Sequence, residues 1–170
     1  MRKVTTDVAV IGAGTAGLAA YRAAKAAGRA ALLIEGGVYG TTCARVGCMP
    51  SKLLIAPPEA PHAVERFPGF GLRGEVAVDG RAVMARVQRE RDRFVGFVTQ
   101  GVDALPASDK LHGYARFVAD TTLVVGDTTV DARAVVIATG SSPAYPPAWN
   151  DLGDRLLTNE NLSDLSDLPQ

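Results

Sequence analysis

Cysteine and histidine are nearly absent: the 170 residues hold two of each, Cys43, Cys48, His62 and His112. Two cysteines cannot staple a secreted disulfide scaffold. A four-ligand zinc site would need both histidines as well, and their positions match no zinc-ligand spacing, so no metal site is expected. An excess of either charge is also missing, with 18 Lys plus Arg against 18 Asp plus Glu. That balance leaves no electrostatic footprint for nucleic acid and no basic stripe for an anionic membrane surface. Long hydrophobic runs are lacking too. The apolar stretch from Val8 to Ala20 has 13 residues, three of them glycine, with Asp7 in front. It is too short to cross a bilayer and unlike the core of a signal peptide, although Arg2 and Lys3 precede it. What remains is an ordinary globular balance, 47% apolar and 21% charged, in a chain long enough to bury one core. These absences point to a cytoplasmic protein whose cysteines serve chemistry.

The cysteines stand in Thr42-Cys43-Ala44-Arg45-Val46-Gly47-Cys48-Met49-Pro50-Ser51-Lys52, with four residues between them. In a helix rising 1.5 Å per residue, positions five apart lie a little over one turn along. A modest distortion at Gly47 would bring the sulfurs within bonding range. Lys52 stands one turn beyond Cys48, where its charge favours a thiolate. This chemistry reads as a redox-active dithiol. On the residues alone, two inert buried thiols or half of a metal site remain as alternatives.

Val4 to Ile11 is a short β-rich run, and Gly12-Ala13-Gly14-Thr15-Ala16-Gly17 follows it directly. Leu18 to Ala27 is alanine-rich and helix-forming, with Gly28 as its C-terminal cap. Ala30 to Ile34 is a second strand, closing on Glu35. In such a unit Gly12 makes the tight turn, Gly14 lets the backbone approach a pyrophosphate, and Gly17 lets helix pack on strand. The N–H groups at the helix start face the anion. Glu35 falls where a carboxylate accepts from a ribose hydroxyl, and its charge would repel a 2′-phosphate. The turn by itself does not separate NAD from FAD. Gly36-Gly37-Val38-Tyr39-Gly40 then forms a flexible loop leading into the dithiol.

Further along, a helix continues through Leu53, Leu54 and Ile55 until Pro57-Pro58, and prolines and glycines mark a surface loop to Gly74 that carries His62. Asp79 to about Leu105 is the longest helical pattern, capped by Asp79 and apolar at Val83, Val87, Phe94, Val98 and Val102. Its arginines alternate with Glu90 and Asp92, which makes a solvated face. Leu111 to Val118, Thr122 to Val125 and Thr128 to Asp131 read as short strands joined by tight turns, an antiparallel meander inserted into a parallel sheet. Ala134 to Ala138 has no polar alternation and suits the centre of that sheet. Thr139-Gly140-Ser141 ends it, and beyond Pro143 the chain becomes a polar connector.

Gly12-x-Gly14-x-x-Gly17, Glu35 and Cys43-x4-Cys48-Met49-Pro50-Ser51-Lys52 together resemble the pyridine nucleotide–disulfide oxidoreductases, most of all dihydrolipoamide dehydrogenase, over nearly the whole chain. The resemblance implies an α/β fold, a Rossmann-like doubly wound parallel sheet with a small antiparallel β-meander insertion. It implies FAD as cofactor, held by Gly12, Gly14, Thr15, Ala16, Gly17, Glu35, Gly36, Gly37 and Thr42. Gly113, Tyr114 and Ala115 would meet the adenine, and Ala138, Thr139, Gly140 and Ser141 form a second FAD signature. Cys48 would lie against the flavin, Cys43 would exchange with substrate, and Lys52 would stand near the reactive edge of the ring. A dithiol or disulfide small molecule, or a lipoyl domain, would be the partner. Two positions depart from the family: Thr41-Thr42 precede Cys43 where Gly-Thr is usual, and Arg45 replaces an asparagine. An added cation tends to lower a thiol pKa. Residues 1–145 would form the FAD-binding domain and 146–170 the connector toward an NAD(P)H-binding domain. No second glycine fingerprint and no match to the family's C-terminal His-Glu base occur. The expectation is therefore a truncated piece of a homodimeric enzyme, inactive alone, less stable than its parent and weak in binding FAD.

Overall fold

A computed structural model describes residues 2–56 and 59–169. The prolines Pro57 and Pro58, expected to end a helix, lie outside the described residues. The chain divides into two compact units, the first being Gly96–Ser141 together with the chain up to Thr42. The second is Cys43–Val95 with the chain from Ser142 onward.

The first unit is built on β1 (Arg2–Ile11), α1 (Thr15–Ala26) and β2 (Ala31–Glu35). β3 (Lys110–His112), β4 (Ala115–Ala119), β5 (Thr122–Val125) and β6 (Thr128–Ile137) complete one six-stranded sheet of order β3-β2-β1-β6-β5-β4. β1 lies between β2 and β6, parallel to both, with Val8 opposite Ala31 on one side and Ala134 on the other. β2 buries Ala31, Leu32, Leu33 and Ile34 alike. An uninterrupted apolar run can do this because a parallel strand is covered on both faces. One face packs Val10, Leu33, Leu18, Tyr21 and Val102, and the other packs Ala9, Leu32, Ile34, Leu123 and Val130. Under α1, Tyr21 donates to Asp109 Oδ2 at 2.7 Å, and Lys25 Nζ approaches the same oxygen at 2.9 Å.

The α/β class and the mixed sheet are as expected, but three strand readings change. Leu111 to Val118 is not one strand. Gly113, at φ +146°, divides it, and the halves pair at opposite edges, β3 parallel to β2 and β4 antiparallel to β5. The meander is continuous with the parallel sheet, because Thr128–Ile137 is a single strand serving both. Its pairing with β5 stops at Asp131, whereas its pairing with β1 runs on to Ile137. The segment expected at a buried sheet centre therefore has an open side, and Ile137 is 67% exposed.

The second unit holds α2 (Thr42–Val46, whose first residue ends the first unit), α3 (Cys48–Ile55) and α4 (Glu59–Glu65). It also takes the first part of α5 (Gly80–Asp103), whose later residues belong to the first unit. Asp79 caps α5 as expected, its Oδ1 accepting from Ala82 N at 3.0 Å. The polar stretch read as a connector lies along α5. Gln88 Nε2 donates to Ser163 O (3.2 Å) and Leu165 O (2.9 Å), Arg91 pairs with Asp164, and Arg81 pairs with Asp167. Among the described residues no helix is long and apolar enough to cross a membrane.

Candidate dinucleotide cradle and dithiol

The carboxyl ends of β1, β2 and β6 meet where the strand order reverses, the place where open α/β sheets receive ligands. Gly12 is there at φ +105°, and a Cβ on it would come within 2.3 Å of Ala138 O. The turn after β1 and the turn after β6 are thus pressed together, tied by Ala138 N donating to Ile11 O at 2.8 Å. A Cβ on Gly17 would stand 1.8 Å from Gly12 O, so the helix can seat on its turn only through glycine. Gly14 differs from both. A Cβ there meets nothing within 4 Å, so packing inside the chain does not require glycine; the space in front of it is open. Thr15 and Ala16 open α1 exposed, no side chain caps the helix and its first turn carries no acid. The leading N–H groups therefore lack intrahelical acceptors and suit an anion.

Glu35 is tied into the turn. Its Oε2 accepts from Ala13 N at 2.7 Å and its Oε1 from Gly37 N at 2.8 Å. A carboxylate accepts about four hydrogen bonds, so capacity remains for ribose hydroxyls. Gly36 lies under the ring of Tyr114, where a Cβ would fall 2.5 Å from Cδ1. Gly113 N donates to Glu35 O at 2.8 Å, which brings Gly113, Tyr114 and Ala115 to the end of β2. Tyr114 is 82% exposed. Thr139, Gly140 and Ser141 follow β6, all exposed. Together these groups suit an adenine dinucleotide: an open pyrophosphate position at Gly14, uncapped helix N–H groups and a carboxylate with spare acceptors.

Two residues here escaped the sequence reading. Ala13 is buried and supplies the N–H that orients Glu35; as an unspecified position of the glycine fingerprint it gave no signal. His112, given no role by the sequence, has its Nε2 3.0 Å from Gly37 O, an acceptor only, so Nε2 carries the proton. The same ring meets Tyr39 edge-on, with centroids 6.1 Å apart. His112 thus pins the loop after Glu35. No residue-type pattern pointed to this pairing across 75 positions.

In the second unit the dithiol segment is two helices instead of one distorted helix. Gly47, at φ −127° and ψ −115°, breaks α2 from α3. Pro50 explains why: it has no N–H to give Val46 O, so the helical ladder could not run through. Ala44 and Pro50 are buried and seat the segment. Both thiols are free, Cys43 half-buried and Cys48 exposed. They are hydrogen-bonded to each other, and that bond, followed by burial, raises the Cys43 thiol above its ordinary value. The expected downward pull of Arg45 is not seen on Cys43, whose shift runs upward through its sulfur partner and burial. Ser51 Oγ donates to Cys48 O at 3.0 Å, and Lys52 stands exposed one turn along α3. No cluster of three or more His, Cys, Asp or Glu able to hold a metal occurs among the described residues.

A glycine-turn cradle at a sheet's switch point stands in one chain with two neighbouring free thiols, the two parts that a nucleotide-binding thiol oxidoreductase would need. Residues 6–168 match the family described as pyridine nucleotide-disulphide oxidoreductase. The mercuric reductase of Streptomyces lividans is 36% identical over 96% of this chain and 36% of its own length. Dihydrolipoyl dehydrogenase 2 of Haloarcula marismortui is 31% identical over 97% of this chain and 36% of its own. In fold, the chain resembles a copper(II) complex of a cysteine-to-serine variant of the HOCl-induced flavoprotein disulfide reductase RclA from Escherichia coli. That match has a TM-score of 0.72 at 22% identity, covering 99% of this chain and 36% of the other. The chain belongs to the pyridine nucleotide-disulphide oxidoreductase family and corresponds to the N-terminal, FAD-binding part of its class I members. It spans about a third of the length of the curated relatives it matches.

Proposed function

We propose that the chain is the FAD-binding and dithiol-bearing part of a cytoplasmic disulfide oxidoreductase whose Cys43–Cys48 pair exchanges electrons with a small dithiol or disulfide. The observation that carries this reading is the placement of two free thiols on either side of the Gly47 break, close enough for Cys48 to act on Cys43. FAD would be held at the pyrophosphate by the Gly12–Gly17 turn and the start of α1, and at the ribose by Glu35. Gly36, Gly37, Thr42, Gly113, Tyr114 and Ala115 would complete its adenosine side, and Ala138, Thr139, Gly140 and Ser141 the strand-end side. Bound FAD supplies two-electron transfer between NAD(P)H, used by the whole protein, and the thiol pair.

The residues of this chain do the rest. Cys43, once deprotonated, attacks one sulfur of a substrate disulfide and releases the other as a thiolate, which takes a proton. The Cys48 thiolate then attacks Cys43 Sγ, expelling the second substrate thiol and closing the Cys43–Cys48 bond. Two protein thiols are oxidised and one substrate disulfide is reduced; the reverse sequence oxidises a dithiol. Lys52 supplies positive charge one turn from Cys48. Dihydrolipoamide, free or on a lipoyl domain, is the first substrate, and the whole protein would act as a homodimer. Mercuric ion is the second reading, favoured by the identity to the Streptomyces enzyme.

Incubation of the reduced chain with oxidised lipoamide tests this directly. Thiol titration and peptide mass spectrometry should show both thiols lost to one intramolecular bond, with Cys43→Ser and Cys48→Ser each blocking it. Thiols that stay free, or bridge only between chains, would contradict the reading.

A further inference from the structure

Residues 156–165 are folded by their own polar groups into a turn that reaches the dithiol segment within the second unit. Thr158 N donates to Asn161 Oδ1 at 2.7 Å, Glu160 N donates to Thr158 Oγ1 at 3.2 Å, and Asn161 Nδ2 closes on Leu156 O at 3.0 Å. Gln88 and Arg91 of α5 hold the far end, Gln88 at Ser163 O and Leu165 O and Arg91 at Ser163 Oγ (3.1 Å). What this braced turn presents is Asn159. Its Nδ2 donates to Val46 O at 3.1 Å, across 113 positions of sequence.

Val46 lies between the two cysteines and ends α2. In a continuous helix its carbonyl would receive the N–H of residue 50, and Pro50 has none. Val46, Gly47, Pro50, Leu54, Asn159 and Leu162 line a cleft of about 310 Å³. The turn and the dithiol segment are therefore not packed solid against each other there, and the amide-to-carbonyl bond ties them directly. We propose that Asn159 is a positioning residue for the Cys43–Cys48 redox pair. It supplies the hydrogen bond that Pro50 withholds and fixes the loop that keeps the two thiols within reach. This rests on the redox reading above.

The effect is read in an equilibrium. When glutathione disulfide oxidises the chain, its S–S bond breaks and the Cys43–Cys48 bond forms. The two electrons and two protons leave as two glutathione thiols. A loop held closed raises the effective concentration of one thiol at the other and favours the protein disulfide. Losing one net hydrogen bond should lower that equilibrium constant about fivefold.

The full chain, its Asn159→Ala variant and Asn159→Asp, which keeps the shape but has no amide donor, are equilibrated in glutathione buffers and quantified by thiol trapping. Tyr21→Phe, in the first unit, serves as a control for general destabilisation. Both Asn159 variants should lower the constant about fivefold, with Tyr21→Phe lowering the thermal midpoint and leaving the constant unchanged. Constants for both Asn159 variants within about twofold of the parent would overturn the proposal and leave the redox reading standing. A parent chain that forms no intramolecular disulfide would sink the redox reading and this inference with it.

Discussion

At the scale of single residues, a thiol, a tyrosine and one half-buried carboxylate decide how the protein answers to pH. The Cys43 thiol is raised by its hydrogen bond with Cys48 and by burial. Its alkylation by iodoacetamide should therefore accelerate only above the ordinary thiol range, and Cys48→Ala should move that profile back toward it. An unchanged profile in the variant would remove the sulfur pair as the cause. Tyr21 is pushed up to about 12 by burial first and then by its bond to Asp109. Because the fold favours the protonated phenol, this stabilisation is whole below the ordinary tyrosine value and fades between pH 10 and about 12. Ultraviolet titration should find one late tyrosine, absent in Tyr21→Phe. Asp109 is lowered, first by its bond with Lys25 and then by Tyr21. The fold favours its ionised form, so this contribution holds above the ordinary carboxylate range and is lost as pH falls through the lowered value. Urea midpoints measured from pH 6 down to pH 2 should fall less steeply in Tyr21→Phe. That Cys43 and Cys48 would lie close to each other was legible from their spacing. The rise of the Cys43 pKa was not, because it comes from the partner's sulfur rather than from the charge of Arg45 or Lys52.

Among the elements, the strand–glycine turn–helix–strand unit was legible nearly to the residue, since its residue types mark each boundary locally and Gly17 seats the helix on its own turn. Gly12→Ala would force a methyl against Ala138 O in a left-handed backbone, and should cost roughly 2–3 kcal/mol in urea unfolding. A midpoint near that of the parent would contradict the turn-to-turn contact. The strands after Lys110 were less legible for a physical reason. Leu111 to Val118 carries Leu111, Tyr114, Phe117 and Val118 and reads as one β-prone run, and the left-handed Gly113 sends its halves to opposite sheet edges. A propensity reading sees one strand, because edge assignment depends on partners far away in sequence. The break at Gly47 could have been read from Pro50, whose missing N–H forbids a helix through Val46. Counting residues per turn across the dithiol hid that argument.

For the whole molecule, composition and motifs led to the right fold class and family, while the long-range ties did not show. β1 and β6 pair from Arg2↔Thr128 to Ile11↔Ile137, and nothing local in either strand names the other. The polar stretch near the end, read as a connector from its Asn, Asp and Ser, also bonds to α5 through Ser163 and Asp164 and to Val46 through Asn159, and no local signal named those partners. The central claim is that the glycine turn is a cradle for FAD in a chain built as a thiol oxidoreductase. Gly14 tests it most directly, because its space is open to a ligand and empty of protein neighbours. The measurement is a titration of FAD fluorescence with the parent chain and with Gly14→Ala, alongside urea unfolding of both. The parent should quench the flavin saturably, and the variant should bind at least about tenfold more weakly with its unfolding free energy within about 0.5 kcal/mol of the parent. Flavin fluorescence indifferent to the parent, or identical titrations for the two chains, would contradict the account.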